Sequence, residues 1–598
     1  MIGLIKILSV SVYYLIYLMF ERWMNCGMVF ALVLAAVLGT QLAKRNIIFG
    51  KKWKIIAIIW LSVLYLGIAV WVFQCGGLEK GIYDIVLHCV YCIGAILTVG
   101  QISNIVRGSL AGFKKRENIC ENEGVYKKIN IGLIVTFVLS LIPIIAISPY
   151  TFARADDYGY GYPAHLALEN TGSFLEVISA IGKVVVEKYM EWQGTYSSIF
   201  LMTVQPAIYD EKLYRIVPMF FIIIITLASY FFMKNILVDF LHADKAAGRI
   251  CILAYILLVI QCIPVKQSAF FWYNGAVHYI VAHCLLLCML VFLLRIAQGR
   301  DSKCNYLGAI LCAVYIGGTN YVSVVGTLFI YLTIIFGLAV TKSWKKYKGI
   351  VGVTIVYLTA AAVNILAPGN FKKMDMSHGY GLIESFILAF VKSSEYILGK
   401  WMHWTVFALV AISAPILWKA VKTIDFKFPC PWIVIGYSWC YMASLFFMPL
   451  FSTTIIEVGR FNNIMYLEWI LWILIDIGYF FGWLQRKYFV QEIKEFCIDE
   501  KKYYLKIFAV IIGMATLSFI AEPHKYTTIF AVETLQEAKL QEYGQDYWYN
   551  VELLKGDERE VLLKPLDNIP ELLHPEECEA WYSGLRLFYD KEKIYFEE

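Results

Sequence analysis

From its first residue to about residue 521 the chain is a succession of runs of roughly twenty mainly apolar residues, the length a helix needs to cross the hydrocarbon core of a bilayer. About fifteen such runs can be counted. Only a closed barrel or a helix satisfies its backbone polar groups in lipid, and uninterrupted apolar runs of this length select the helix. Of 598 residues, 60% are hydrophobic and 16% charged, with a mean hydropathy of +0.64, values that exclude an ordinary soluble domain. The expected fold class is an all-α polytopic membrane protein. The first run, MIGLIKILSVSVYYLIYLMF, is followed by ERWMNC and a second apolar run, with no small-residue cleavage site, so it reads as a retained helix. The 15 cysteines lie mostly inside apolar runs such as AHCLLLCML, where a thiol packs as a small hydrophobe.

The net charge of +6 is spread over short loops between the runs, so no nucleic-acid partner is expected and the basic residues are read as topological. Cytoplasmic loops carry excess Lys and Arg. Loops of this kind occur at 43–54, 107–128, 233–249, 295–303, 341–349, 419–428 and 485–502, each separated from the next by two apolar runs. That alternation predicts a multi-pass protein of the plasma membrane with a cytoplasmic N-terminus and an extracytoplasmic C-terminus. Three parts are expected: an N-terminal four-helix module at 1–128, a membrane core at 129–521, and a small extracytoplasmic α/β segment at 522–598. The loop at 150–212 contains SFLEVISAIGKVVVEKYMEW, an amphipathic helix suited to lying along a membrane surface. Segment 304–341 is long enough for two crossings broken at GGTN. Charged residues are expected at one face of the bundle rather than within its spans.

The loops on the outer side contain nearly all of the unusual polar groupings. ARADDYGYGYP places Asp156 and Asp157 beside Arg154, Tyr158, Tyr160 and Tyr162. Aspartate pairs often serve as helix caps or turns. A carboxylate with an ordinary pKa near 3.9 is also ionised at neutral pH and can accept a hydroxyl proton, and two together can hold a divalent cation such as Mg or Mn. EWQGTYSS supplies Trp192, either an interfacial anchor or a platform for a sugar or lipid head group. PVKQSAFFWYNGAVHYI carries Lys266, Trp272, Asn274 and His278; an aromatic belt explains the rings, whereas Asn274 and His278 call for a wet groove. Asn320 lies at GGTN. LAPGNFKKM brings Asn370, Lys372 and Lys373, and STTIIEVGRFNN brings Glu457 and Arg460. Lysine on the outer side runs against the usual bias, and Lys and Arg are common phosphate ligands.

The ordered set ADDYGY, WQGTYSS, FFWYNGAVHYI, GGTNY, LAPGN and VGRFNN resembles the GT-C fold membrane glycosyltransferases, and within them the bacterial glucosyltransferase-like families of the GtrII and DUF6056 type. It spans roughly residues 130 to 470. The resemblance implies a polyprenyl-phosphate sugar as donor, an envelope glycan as acceptor, and an aspartate of the first large outer loop as general base. On this chain that base is Asp157 or Asp156, with Asp157 preferred, and Lys372, Lys373 or Arg460 neutralises the departing phosphate. Two features depart from the pattern. Relatives often carry Arg where this chain has Thr195, and four extra helices precede the acidic motif. The competing expectations are a flippase or transporter for lipid-linked sugars, which needs charges within the spans, and a polymerase or ligase of the O-antigen type.

Overall fold

The computed structural model describes residues 122–597 except 155, 301, 377–378, 454–458, 489–499, 567 and 575–580. Almost all of the expected N-terminal module, and Glu457, therefore lie outside the described residues. The chain enters through α1 (Asn122–Ile147), which leads into three helices that are not spans: α2 (Asp156–Thr171), α3 (Phe174–Glu191) and the short α4 (Tyr196–Met202). Next come α5 (Val217–Lys234), α6 (Lys245–Cys262), α7 (Tyr273–Ala297), α8 (Lys303–Gly317), α9 (Tyr321–Val340) and α10 (Lys348–Ile365). A second excursion, α11 (Pro368–Met376) and α12 (Leu382–Glu395), precedes α13 (Trp404–Lys422), α14 (Pro431–Thr453), α15 (Gly459–Tyr488) and α16 (Glu500–Ala521). The chain closes with α17 (Thr527–Gln536), α18 (Lys539–Lys555), β1 (Glu560–Leu563), α19 (Trp581–Phe588) and β2 (Lys593–Phe596).

Among the described residues ten helices are long and apolar enough to cross a bilayer, and α8 is a shorter apolar helix. The fold is thus an all-α membrane bundle, with four of the roughly fifteen apolar runs falling before residue 122. The break read at GGTN separates α8 from α9, and Asn320 caps α9 by accepting from Ser323 N at 2.9 Å. Burial ranks the spans: 83% of the apolar window of α13 is inside the protein, against 17% for α1. On α1 the residues Ile131, Val135, Val138 and Ile142 recur at helical spacing and are exposed, as a lipid-facing stripe requires.

One expectation from the sequence fails. Charges are not confined to one face, because α15 carries Glu468 inside its span and Glu468 is buried against His283 of α7 at 3.1 Å and Tyr441 of α14 at 3.0 Å. The apolar run around it conceals this, since a single Glu hardly alters a window of twenty residues. Three helices are held by one carboxylate in a setting without water to replace its partners.

The segment after residue 521 does not form a core of its own. Its β1 and β2 pair in parallel, Val561 opposite Ile594, over a small cluster of Leu554, Val561 and Leu563. Its α17 packs on α1 and α6, with Thr528 donating to Ser140 O at 2.8 Å and Thr527 to Ile260 O at 2.6 Å, while α19 packs on α2: Phe588 stacks on His165 with ring centroids 3.9 Å apart and meets Tyr158 edge-on at 5.1 Å. At Gly584 an added Cβ would stand 2.9 Å from Gly159 N, so the approach of α19 to α2 depends on the missing side chain.

Replacing Glu468 by Ala leaves His283 and Tyr441 buried without their partner. A loss of about 3–5 kcal/mol is expected, read as a lowered thermal midpoint in detergent, with Glu468→Gln intermediate. A Glu468→Ala protein that melts with the wild type would show that the carboxylate does not hold the bundle.

Candidate functional site at the acidic turn

The two aspartates of ADD have different surroundings. Asp157 is fully buried. Its Oδ2 accepts from Tyr214 Oη at 2.6 Å and from Arg154 N at 3.1 Å, and its Oδ1 accepts from Asn274 N at 3.2 Å. Tyr214 Oη in turn accepts from Tyr273 N at 2.8 Å. Tyr273 and Asn274 open α7, whose first N–H groups have no partner within the helix. Asp157 therefore caps a helix more than a hundred residues away, at the positive end of its dipole. Burial pushes its carboxyl up to about 7, against the opposing pull of the Tyr214 hydroxyl, the Arg154 amide and charge, and the Asn274 amide. Asp157, the aspartate preferred as base from the sequence, is thus closed off from solvent with three donors already on its oxygens, an arrangement that suits a structural role.

Asp156, one residue earlier, is exposed at the first turn of α2. It is recessed, so burial raises its pKa, while Arg460, Lys373 and Lys188 pull it back down, in that order. Tyr160, one helical turn further on, lies within the field of both Asp156 and Arg460. These groups share one electrostatic neighbourhood, the candidate groove, at the start of α2.

Local sequence explains how the groove is built. WQG and APGN interlock through their glycines: a Cβ on Gly194 would sit 1.9 Å from Asn364 O, and one on Gly369 would sit 2.5 Å from Trp192 N. Asn370 fastens the joint by accepting from Gly194 N at 2.8 Å and from Tyr321 Oη, and by donating to Asn364 O at 2.7 Å. Trp192 and Lys373 are thereby brought together, with Lys373 Nζ 4.5 Å above the indole and 3.4 Å from Gln193 Oε1. On the opposite wall the Arg460 guanidinium lies 5.4 Å above the ring of Trp272. Asn463 holds that wall in place by accepting from Val265 N and donating to Val265 O, both at 2.8 Å.

Around these cations lies a concentration of buried polar atoms that have no partner among the described residues: Trp272 Nε1, Asn274 Nδ2 and Oδ1, His278 Nδ1 and Arg460 Nε. The charges that reach His278 are those of Arg460 and Lys373. Unsatisfied buried donors and acceptors are rare in finished structures, and here they are gathered beside a carboxylate and two cations.

The remaining residues named from sequence do other work. Asn320 donates to His278 O at 2.6 Å and Asn370 bridges two loops, so both are braces. Arg154 is buried, with its backbone serving Asp157 and its terminal nitrogens without hydrogen-bond partners among the described residues. Tyr158 is buried, and its hydroxyl meets Tyr547 Oη at 2.9 Å. Lys372 is exposed and paired with Glu191. Lys266 lies apart, in the field of Cys262 and Lys525, and burial lowers its pKa to about 8. Thr195 is buried, and its hydroxyl lacks a partner among the described residues. Lys188 and Tyr214 escaped the sequence reading. Lys188 sits one helical turn before Trp192, a spacing that places both on one face, whereas KLYRIV gives no sign of Tyr214.

The aspartate pair, named from sequence as a place for Mg or Mn, has Asp157 turned inward and Asp156 outward. Asp157 is surrounded by hydroxyl and N–H donors, and no group of three His, Cys, Asp or Glu side chains suited to a metal occurs among the described residues. No family model, curated protein or solved structure matches the chain.

The C-terminal segment holds α2 from behind. Glu211 is buried and accepts from Tyr547 Oη at 2.8 Å and Tyr589 Oη at 2.5 Å, while Tyr547 stacks on Phe152 at 3.8 Å. Tyr547→Phe strips Glu211 of a donor and Tyr158 of its partner, and should cost about 1–3 kcal/mol. Tyr158→Phe leaves both donors on Glu211 and should cost less. Thermal unfolding of the two variants checks the order, and the reverse order would refute the view that Glu211 is the centre of the clamp.

Proposed function

We propose that the groove is the active site of a membrane glycosyltransferase, moving a sugar from a polyprenyl-phosphate donor to a hydroxyl of an envelope glycan. The reading rests on one observation above all: a recessed, solvent-reached carboxylate, Asp156, lies in the field of Arg460 and Lys373, which stand over two indole rings near unsatisfied polar atoms. In this scheme the acceptor hydroxyl gives its proton to Asp156 as its oxygen bonds to the anomeric carbon. The bond from that carbon to the phosphate oxygen breaks, and the phosphate leaves with the electron pair. Arg460 and Lys373 meet the negative charge that develops there, and the indoles offer flat faces to sugar rings. The groove end faces the outside in this proposal, with the N-terminus cytoplasmic and the C-terminus extracytoplasmic.

A second reading, transport of a lipid-linked sugar, is favoured by the buried pair of Glu468 and His283, since ionisable groups inside spans commonly serve translocation. Sugar movement across proteoliposomes without transfer to an acceptor would select it.

The deciding test uses the full chain in detergent with polyprenyl-phosphate sugars. Asp156→Asn should lower transfer by about 10²-fold or more with its melting curve unchanged, whereas Asp157→Asn should lower the thermal midpoint. Full activity in Asp156→Asn would rule out this assignment. Because Arg460 favours the ionised form of Asp156, Arg460→Gln should raise the pKa of that carboxyl and move the acid limb of the kcat/KM profile to higher pH. Lys372→Gln should leave the limb where it is.

A further inference from the structure

A cavity of about 240 Å³ is lined by Pro149, Thr151, Phe152, Glu211, Lys212, Arg215 and Trp548. None of these residues belongs to the acid groove. The cavity sits where the candidate span of α1 ends and that of α5 begins, and the ends of helices that cross a bilayer lie among its head groups. Its cations, Lys212 and Arg215, are exposed one turn apart on a 3₁₀ segment, Glu211–Ile216. Interleaved with them are exposed apolar side chains, Leu213 at 41% and Ile216 at 51%, as expected of a segment whose charges meet head groups while its apolar groups meet acyl chains.

The floor of the cavity is finished and polar. Glu211 is buried, and its two oxygens accept from the hydroxyls of Tyr547 and Tyr589, so the carboxylate is turned toward those donors. Thr151 is 1% exposed, and its hydroxyl has no partner among the described residues. Trp548 presents a partly exposed ring held edge-on to Phe152 at 5.7 Å. Two cations, an unsatisfied hydroxyl and an aromatic wall at head-group depth form a cradle for a phosphate diester carried on a hydrocarbon anchor.

We propose that this cavity is a second site, independent of the groove, that binds the head group of an anionic phospholipid. Lys212 and Arg215 pair with the phosphate, Thr151 donates its hydroxyl to a phosphate oxygen, and the polar part of the head group lies against Trp548. Because the 3₁₀ segment also carries Tyr214, whose hydroxyl serves Asp157, a lipid seated here is fixed to the same turn that positions the acidic motif.

The test is native mass spectrometry of the full chain titrated with phosphatidylglycerol and, separately, with phosphatidylcholine of the same acyl chains. Preferential binding of phosphatidylglycerol is expected. The double variant Lys212→Gln, Arg215→Gln should weaken it about twenty-five-fold, about fivefold for each cation, while Lys183→Gln on α3 leaves it unchanged. Both cations are exposed, so the variant should melt with the wild type, and Trp548→Ala provides a second loss of affinity through the cavity wall. Equal binding of the two lipids, undiminished binding by the double variant, or displacement of the lipid by free glycerol phosphate at similar concentration would overturn the proposal.

Discussion

The carboxylate of Asp157 joins three pieces of chain that lie far apart in sequence. It closes the turn at Arg154, engages Tyr214 ahead of α5, and caps α7 through Asn274. Each contact satisfies a donor that would otherwise be buried and unpaired, at a cost of about 1–3 kcal/mol apiece. The orientation of α2 follows from this knot, and so does the placement of Asp156, which the first turn of α2 turns toward solvent. Adjacent carboxylates thus receive opposite surroundings from a single helix start: successive residues point about 100° apart, so one enters the protein as the other leaves it.

The groove walls are positioned by close backbone contact and by aromatic faces. Gly194 and Gly369 let two loops from opposite sides of the sequence touch at main-chain distance, which fixes Trp192 beneath Lys373. Asn463 does the same for the wall bearing Arg460 and Trp272. Deeper in the bundle, His283 and Glu468 join α7 to α15, the two helices that deliver Asn274 and Arg460 to the groove. Positioning at the site and cohesion within the spans are therefore carried by the same helices.

Much of this was legible in the sequence because membranes impose a simple grammar. Runs of about twenty apolar residues give the spans, and GGTN, WQG and LAPGN mark real breaks whose glycines and asparagines serve as joints. Trp192, Trp272, Asn274, His278, Lys373 and Arg460 were singled out as polar or aromatic residues at helix ends, and these gather in the groove. The roles of Asp156 and Asp157 were not legible, since neighbours in a motif carry the same composition and differ only in the face they present. Tyr214 and Glu468 were hidden for a related reason: their partners lie 57 and 185 residues away, and nothing local announces them. Lys266 is buried in the field of Cys262 and Lys525, neighbours that nothing in PVKQS announces.

The clamp of Tyr547 and Tyr589 on Glu211 has a consequence for biosynthesis. Tyr158 meets a partner made 389 residues later, so the turn bearing Asp156 waits, without its support, through the insertion of every later span. The segment after residue 521 must then reach the same side of the membrane to close over α2. Assembly of the groove is in this sense a report that the whole bundle has been threaded correctly, and a chain inserted with one span missing would carry its aspartates and its clamp on opposite sides of the bilayer.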